Sequence, residues 1–251
     1  MTTPALPECI TGPRLVALID PRPTRTIDGV EPPSDDARLG TLVTIIEIMT
    51  QEGMRTFSLA VGPDGADVDD LGLLGELREI FTERASFGLH GYSSVNQLDR
   101  VLSAAPEFVL ASHDDHDLVR AAQGGGALVI PAGLTPNEIR GAWSLDVAAV
   151  QVMPADLMAS SYPATLQELL PEVPLIARGG LGAWSVGRWF EGQAVACCTD
   201  TTLIGDAMAP VPTWASSVTG AVATSTWCPL LTTRPSGRDA GPRWEARPRC
   251  G

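Results

Sequence analysis

The sequence contains no lysine: all 17 of its basic residues are arginines. A lysine Schiff base, a P-loop lysine and a lysine general base are therefore excluded before any fold is considered. Positive charge is scarce altogether, with 17 basic against 30 acidic residues, a formal charge of −13 and a pI near 4.5. A nucleic-acid surface needs clustered basic residues, so no nucleic-acid partner is expected. Long hydrophobic runs are missing too. Stretches such as LVALI (15–19) and ALVIP (127–131) fall far short of the roughly 18 residues of a membrane span, so no membrane partner is expected. The five cysteines (Cys9, Cys197, Cys198, Cys228, Cys250) are odd in number and lack metal-ligand spacing such as C-x-x-C. The opening MTTPALPECITGP has no basic stretch followed by an apolar one, so no secretory signal is expected and a reduced, cytoplasmic protein is the simplest reading.

What is present is the composition of a soluble globular domain, 251 residues with 44% hydrophobic and 19% charged. Short apolar runs alternate with amphipathic stretches. The apolar runs are 14–19, 55–61, 86–90, 107–112, 127–131, 147–153, 174–178 and 194–198. Between and after them lie helical patterns at 39–53, 68–84, 94–105, 115–125, 135–145, 164–171, 184–193 and 201–208. In the second of these, Leu71, Leu74, Leu77 and Ile80 fall on one helical face. Capping residues stand at helix starts: Ser94, Thr135 with Glu138 three residues on, and Ser185.

Eight strands alternating with eight helices make a parallel α/β protein, and the nearly continuous apolar strands suit burial on both faces. A closed (β/α)8 TIM barrel over 14–208 is the favoured arrangement. An open doubly wound sheet is the alternative, but no G-x-G-x-x-G follows the first strand. Residues 1–13 read as an N-terminal arm. The polar, proline-rich stretch 20–38 reads as a long mouth loop, either a lid or a plain surface loop. From 209 to 251 the chain turns rich in Pro, Ser, Thr and Arg, an irregular C-terminal extension in which Trp214, Trp227 and Trp244 argue for some docking.

In a barrel, chemistry belongs at the carboxyl ends of the strands. There the segments GMRTFSLAV, FGLHGYSSVNQLDRVLSAAPEFVLAS, ALVIPAGLTPNEIRGAWSLDVAAVQVMPAD and PEVPLIARGGLGAWSVGRWFEGQAVA resemble the 2-keto-3-deoxy-phosphogluconate / 4-hydroxy-2-oxoglutarate (KDPG/KHG) aldolase family, from Arg14 to Met208. The resemblance implies a trimeric (β/α)8 barrel and a class I aldolase cleaving 2-keto-4-hydroxy acids through a lysine Schiff base to pyruvate. The chain departs from that pattern at the chemistry. Where the family reads V-K-L-F-P-A this chain reads VQVMPA, with Gln151 at the lysine position. In SLAVG, Ser58 replaces the family's glutamate proton shuttle and Gly62 its carboxylate-holding arginine. An amide is not an amine nucleophile and a hydroxyl is no carboxylate base, so the family reaction by the family route is excluded.

The family's anion-binding loops fare better. RGGLG (178–182) keeps the glycine pair Gly179 and Gly180 and adds Arg178, AGLTPNE (132–138) keeps the loop with Thr135, and CCTD (197–200) contains Thr199 and adds Asp200. Backbone amides at a helix start plus a guanidinium favour a carboxylate or phosphate, so a small anionic metabolite is the expected partner. The alternative is a retained tight turn beside a surface charge. All three histidines, His90, His113 and His116, fall at expected mouth positions. With Asp20 and Asp114 they offer an acid/base set, and His113 and His116 with a carboxylate also have the make-up of a metal site. The bland alternative is that Asp114 or Asp115 caps a helix and leaves His116 in solvent.

Two functions survive. One is a repurposed enzyme of lyase, dehydratase, isomerase or cyclase type, needing no cofactor or metal and acting without a Schiff base on a small anionic or keto-type substrate, with His90, His113, His116, Gln151, Ser58 and Asp20 as catalytic candidates. Specialised biosynthesis would suit it. The other is a catalytically inactive relative that binds a ligand or a partner subunit.

Overall fold

The computed structural model describes residues 4–22, 34–61, 68–92, 95–112 and 115–205. Strands β1 (Leu15–Ile19), β2 (Thr56–Ala60), β3 (Ser86–His90), β4 (Val109–Leu110), β5 (Val129–Ile130), β6 (Ala132–Gly133), β7 (Val150–Val152), β8 (Leu175–Arg178) and β9 (Ala196–Thr199) form one parallel sheet. Its order is β5-β4-β3-β2-β1-β9-β8-β7-β6. The two ends of that order, β5 and β6, are consecutive pieces of one stave interrupted at Pro131, which has no N–H to donate to a ladder. The sheet therefore closes on itself as the eight-staved barrel expected from the sequence. Of the expected mouth loop 20–38, residues 23–33 lie outside the described residues and 35–38 are already helical; the stretch from 206 onward with its three tryptophans, and His113 with Asp114, also lie outside them.

Helices α2 (Asp35–Gln51), α3 (Val68–Phe81), α4 (Val95–Ser103), α5 (His116–Gly124), α6 (Pro136–Trp143), α7 (Tyr162–Leu169), α8 (Ala183–Glu191) and α9 (Thr201–Ile204) follow the staves in turn. Two local readings need correction. The buried face of α3 runs through Leu73, Leu74, Leu77 and Phe81, while Ile80 is exposed, so the apolar stripe is rotated from the one the spacing implied. Ser185 lies inside α8, whose N-cap is Gly182. The Thr135 expectation holds in full: its hydroxyl accepts from the Glu138 N–H, and the Glu138 carboxylate accepts from the Thr135 N–H at 2.8 Å.

Period-two alternation splits the strands between two cores. Outward residues such as Ala17, Leu59, Leu89, Val150 and Cys197 meet the helices. Inward residues fill the barrel: Val16, Leu18, Phe108, Leu110, Ile130, Ala149, Ile176, Ala196 and Cys198. Gly88 faces Phe108 from the neighbouring stave. A Cβ there would fall 2.6 Å from the ring Cζ and closer still to Cδ2, so the aromatic ring occupies the space that glycine leaves. The N-terminal arm is not an appendage. Its short helix α1 (Glu8–Thr11) inserts Ile10, fully buried, into this inner core, and the Thr56 hydroxyl donates to the Cys9 carbonyl.

Candidate functional site

Above that apolar filling the inward positions turn polar. Ser58 in β2, His90 at the end of β3, Gln151 in β7 and Arg178 at the end of β8 are all buried, and each is an inward position of its stave. They form two bonded pairs. Ser58 Oγ lies 3.0 Å from His90 Nδ1. Arg178 Nη1 donates to Gln151 Oε1 at 3.0 Å.

Gln151 is fully committed. Its Nε2 donates to the Ala111 carbonyl at 2.8 Å and to the Ile130 carbonyl, leaving Oε1 toward Arg178. Carbonyls only accept and a guanidinium only donates, so this network fixes the orientation of the amide. Gln151 is thus a strut between staves that aims Arg178. Arg178 itself is 7% exposed, and among the described residues no carboxylate lies within ion-pair distance of it. Burial lowers its affinity for its proton, and Cys198 and Asp200 only partly offset this. A guanidinium with five donors and one bonded neighbour is a strong anion receptor.

Burial is also the main force on His90, followed by repulsion from Arg178 and Arg22. Together they depress its pKa from 6.5 to about 3, so the imidazole is neutral at physiological pH. Arg22, which the sequence reading did not single out, holds Asp20 in a two-point pair at 2.8 and 2.7 Å. Asp20 is therefore occupied at the mouth rim, and the only signal for this was the D-P-R spacing. Cys198, directly beside Arg178 in the β8–β9 register, is buried with its thiol pushed up to about 12, which suits a packing role.

Other candidates sit apart from these four. His116 opens α5, exposed, with its ring packed over Gly141 of α6, and Asp115 caps the helix by accepting from the Asp117 and Leu118 N–H groups. Thr135 is spent on its capping box. Thr199 shares the outward face with Cys197 rather than the inward face with Cys198, and its buried hydroxyl finds no hydrogen-bond partner among the described residues. No three His, Cys, Asp or Glu side chains among the described residues are grouped to hold a metal ion. No helix among them is long and apolar enough to cross a membrane.

Gly179 and Gly180 both adopt positive φ, 105° and 62°, between β8 and α8. The turn runs beside the loop after β7: the Ala155 N–H donates to the Arg178 carbonyl at 2.8 Å, and the buried Trp189 indole of α8 donates to the Ala155 carbonyl at 3.1 Å. The Gly180 N–H is already taken by Asp200 Oδ2, at 3.0 Å.

No family model matches the chain, and no curated protein matches it. Solved structures do. The 2-keto-3-deoxy-6-phospho-gluconate aldolase from Zymomonas mobilis superposes with a TM-score of 0.67 at 14% identity, over 89% of this chain and 96% of that one. A KDPG aldolase from Legionella pneumophila, with pyruvate captured as a covalent carbinolamine intermediate, matches at 0.64 and 13%, over 90% and 97%. The 3-hexulose-6-phosphate synthase from Salmonella typhimurium matches at 0.59 and 10%, over 86% and 97%. At such identities the likeness is one of fold: the chain is built on an aldolase-like (β/α)8 barrel, the scaffold of the KDPG/KHG aldolases.

Proposed function

We propose that the protein is a repurposed aldolase-fold enzyme that acts, without a Schiff base, on a small carboxylate or 2-keto acid. The observation that carries this reading is that the Arg178 guanidinium and the His90 imidazole are both buried on inward positions of the barrel wall, with Arg178 among the charges that depress the pKa of His90. Arg178 receives the substrate carboxylate, and Gln151 holds the guanidinium in place. His90, positioned by Ser58, is the acid/base group. An anion docked on Arg178 offsets the positive field that depresses His90, so substrate itself raises the basicity of the ring. Proton movement next to a carbonyl is common to lyase, dehydratase, isomerase and cyclase chemistry, and the chain has no lysine to run it through an imine.

The test needs no knowledge of the true substrate. NMR in D2O follows exchange of the C3 protons of pyruvate and 2-oxobutyrate. The expected result is catalysed exchange that falls roughly 10²–10⁴-fold in His90→Gln. Binding of these acids without any exchange would instead support the second reading, a ligand-binding protein without catalysis. That reading is favoured by the full commitment of Gln151 to its neighbours. We further propose the cytoplasm as its compartment and, from the resemblance to the KDPG/KHG aldolases, a homotrimer as its assembly, which light scattering on the purified chain reads.

A further inference from the structure

The Gly179–Gly180 turn, both residues at positive φ, presents a backbone N–H ahead of α8, and backbone N–H groups in such turns and at helix starts form anion-binding nests. In this chain the nest has an anion of its own. Asp200, between β9 and α9, turns its carboxylate across the turn after β8. Oδ2 accepts the Gly180 N–H at 3.0 Å, and Oδ1 accepts the Thr202 N–H at 3.2 Å. The Thr202 hydroxyl then donates to the Leu181 carbonyl at 2.8 Å and ties the start of α9 to the same turn. A second carboxylate lies close to the same turn. A Cβ at Gly180 would come within 2.9 Å of Asp156 Oδ2, so that acid lies against the turn as well.

We infer that Asp200 is a specificity-determining residue, filling the Gly179–Gly180 anion nest from within the chain so that the ligand held by Arg178 carries no phosphate or other negative group at its far end. This rests on the reading of Arg178 as the carboxylate receptor. A phosphate reaching the nest would have to break the Asp200 bond to Gly180 and stand beside two carboxylates, Asp200 and Asp156. Asp156 is exposed and Asp200 half-buried, so this like-charge repulsion is partly screened by solvent and adds to the cost of breaking the Asp200 bond to Gly180. Among the described residues the geometry thus divides the anion-binding capacity of the mouth between Arg178, whose guanidinium has one bonded neighbour, and a turn whose Gly180 N–H is already satisfied. The substrate class that fits is a small acid with a single carboxylate and an uncharged remainder, rather than a phosphorylated sugar acid.

The experiment is amide-resolved NMR on the full chain, titrated with inorganic phosphate and, separately, with pyruvate. In the wild type, phosphate is expected to leave the Gly180–Asp200 hydrogen bond intact, so any shift of the Gly180 and Thr202 amides from phosphate on Arg178 stays smaller than in the variants. In Asp200→Ser the nest opens, phosphate affinity rises about tenfold or more, and the Gly180 amide shifts with it. Asp200→Asn keeps an acceptor oxygen for Gly180 while removing the charge, so it reads the repulsion alone should the serine variant not fold, and a smaller rise is expected there. A wild-type Gly180 amide that shifts with phosphate as readily as in the variants overturns the inference. So does phosphate binding that is equally absent from the wild type and both folded variants. Failure of pyruvate to bind, with the phosphate series as expected, would instead refute only the Arg178 reading.

Discussion

Replacing Arg178 by methionine separates a functional arginine from a structural one. In the free protein the guanidinium is buried and has one bonded neighbour, the Gln151 carbonyl oxygen, with no ion pair among the described residues. Two opposing costs decide the outcome. Removing the donor leaves Gln151 Oε1 buried and unpaired, which costs about 1–3 kcal/mol. Removing the cation relieves its dehydration, an effective penalty of several kcal/mol for a poorly compensated buried ion, while the methionine stem fills much of the same volume. The second term is the larger, so Arg178→Met is expected to be more stable than the wild type by roughly 1–3 kcal/mol. For a chain of this size that corresponds to a rise in Tm of about 2–10 °C. The ligand response inverts the ranking: pyruvate at a hundredfold excess over its Kd should stabilise the wild type by about 2.7 kcal/mol and leave Arg178→Met unchanged. Urea denaturation with and without pyruvate reads all four values. A variant less stable than the wild type by a couple of kcal/mol would refute the argument and make Arg178 a strut of the barrel wall.

The depressed pKa of His90 gives stability a pH window. Between 6.5 and about 3 the unfolded chain binds the proton that the folded chain refuses, so stability rises with pH across that span and is lost as pH falls through it. The slope from this one group approaches about 1.4 kcal/mol per pH unit in the middle of the window, and it should vanish in His90→Gln when denaturation midpoints are compared at a series of pH values. At Gly88, even a methyl group collides with Phe108 inside a closed barrel, so Gly88→Ala should cost about 1–3 kcal/mol by thermal denaturation. Adding Phe108→Leu should recover part of that loss, and a double variant no better than the sum of the singles would show that the clash is absorbed elsewhere.

The barrel was legible because its signals are local and repeated. The run SFGLH coincides with β3, and the Thr135–Glu138 capping box marks the start of α6 to the residue. Strand parity is legible as well: with Ala196 and Cys198 facing inward, Thr199 has to face out, away from the mouth. The stripe of α3 differs from the spacing because spacing gives a helical face only to within a residue, and packing against the sheet selects Leu73 and Phe81 over Ile80. The site itself is a product of closure. Ser58 and His90 are 32 positions apart, and Gln151 and Arg178 are 27 apart, and only the curvature and register of neighbouring staves bring each pair within hydrogen-bond reach. Residue type suggested all four; nothing in the linear sequence said who bonds to whom. The plugging role of Ile10 escaped for a related reason, since a four-residue helix carries too little periodicity to announce itself.

That plug constrains traffic through the molecule. With Ile10 packed in one cluster with Val16, Phe108, Ile130 and Ala196, the described residues fill the amino-terminal end of the tube, so a ligand at His90 and Arg178 would enter from the carboxyl ends of the strands. Arrival and departure must then share one route. If Arg178 holds the carboxylate as proposed, a reaction that splits one molecule into two would release first whichever fragment stands nearer the opening, and the fragment on the guanidinium would leave last. In the reverse direction the order flips: the acid on Arg178 enters first, and its partner seals it in.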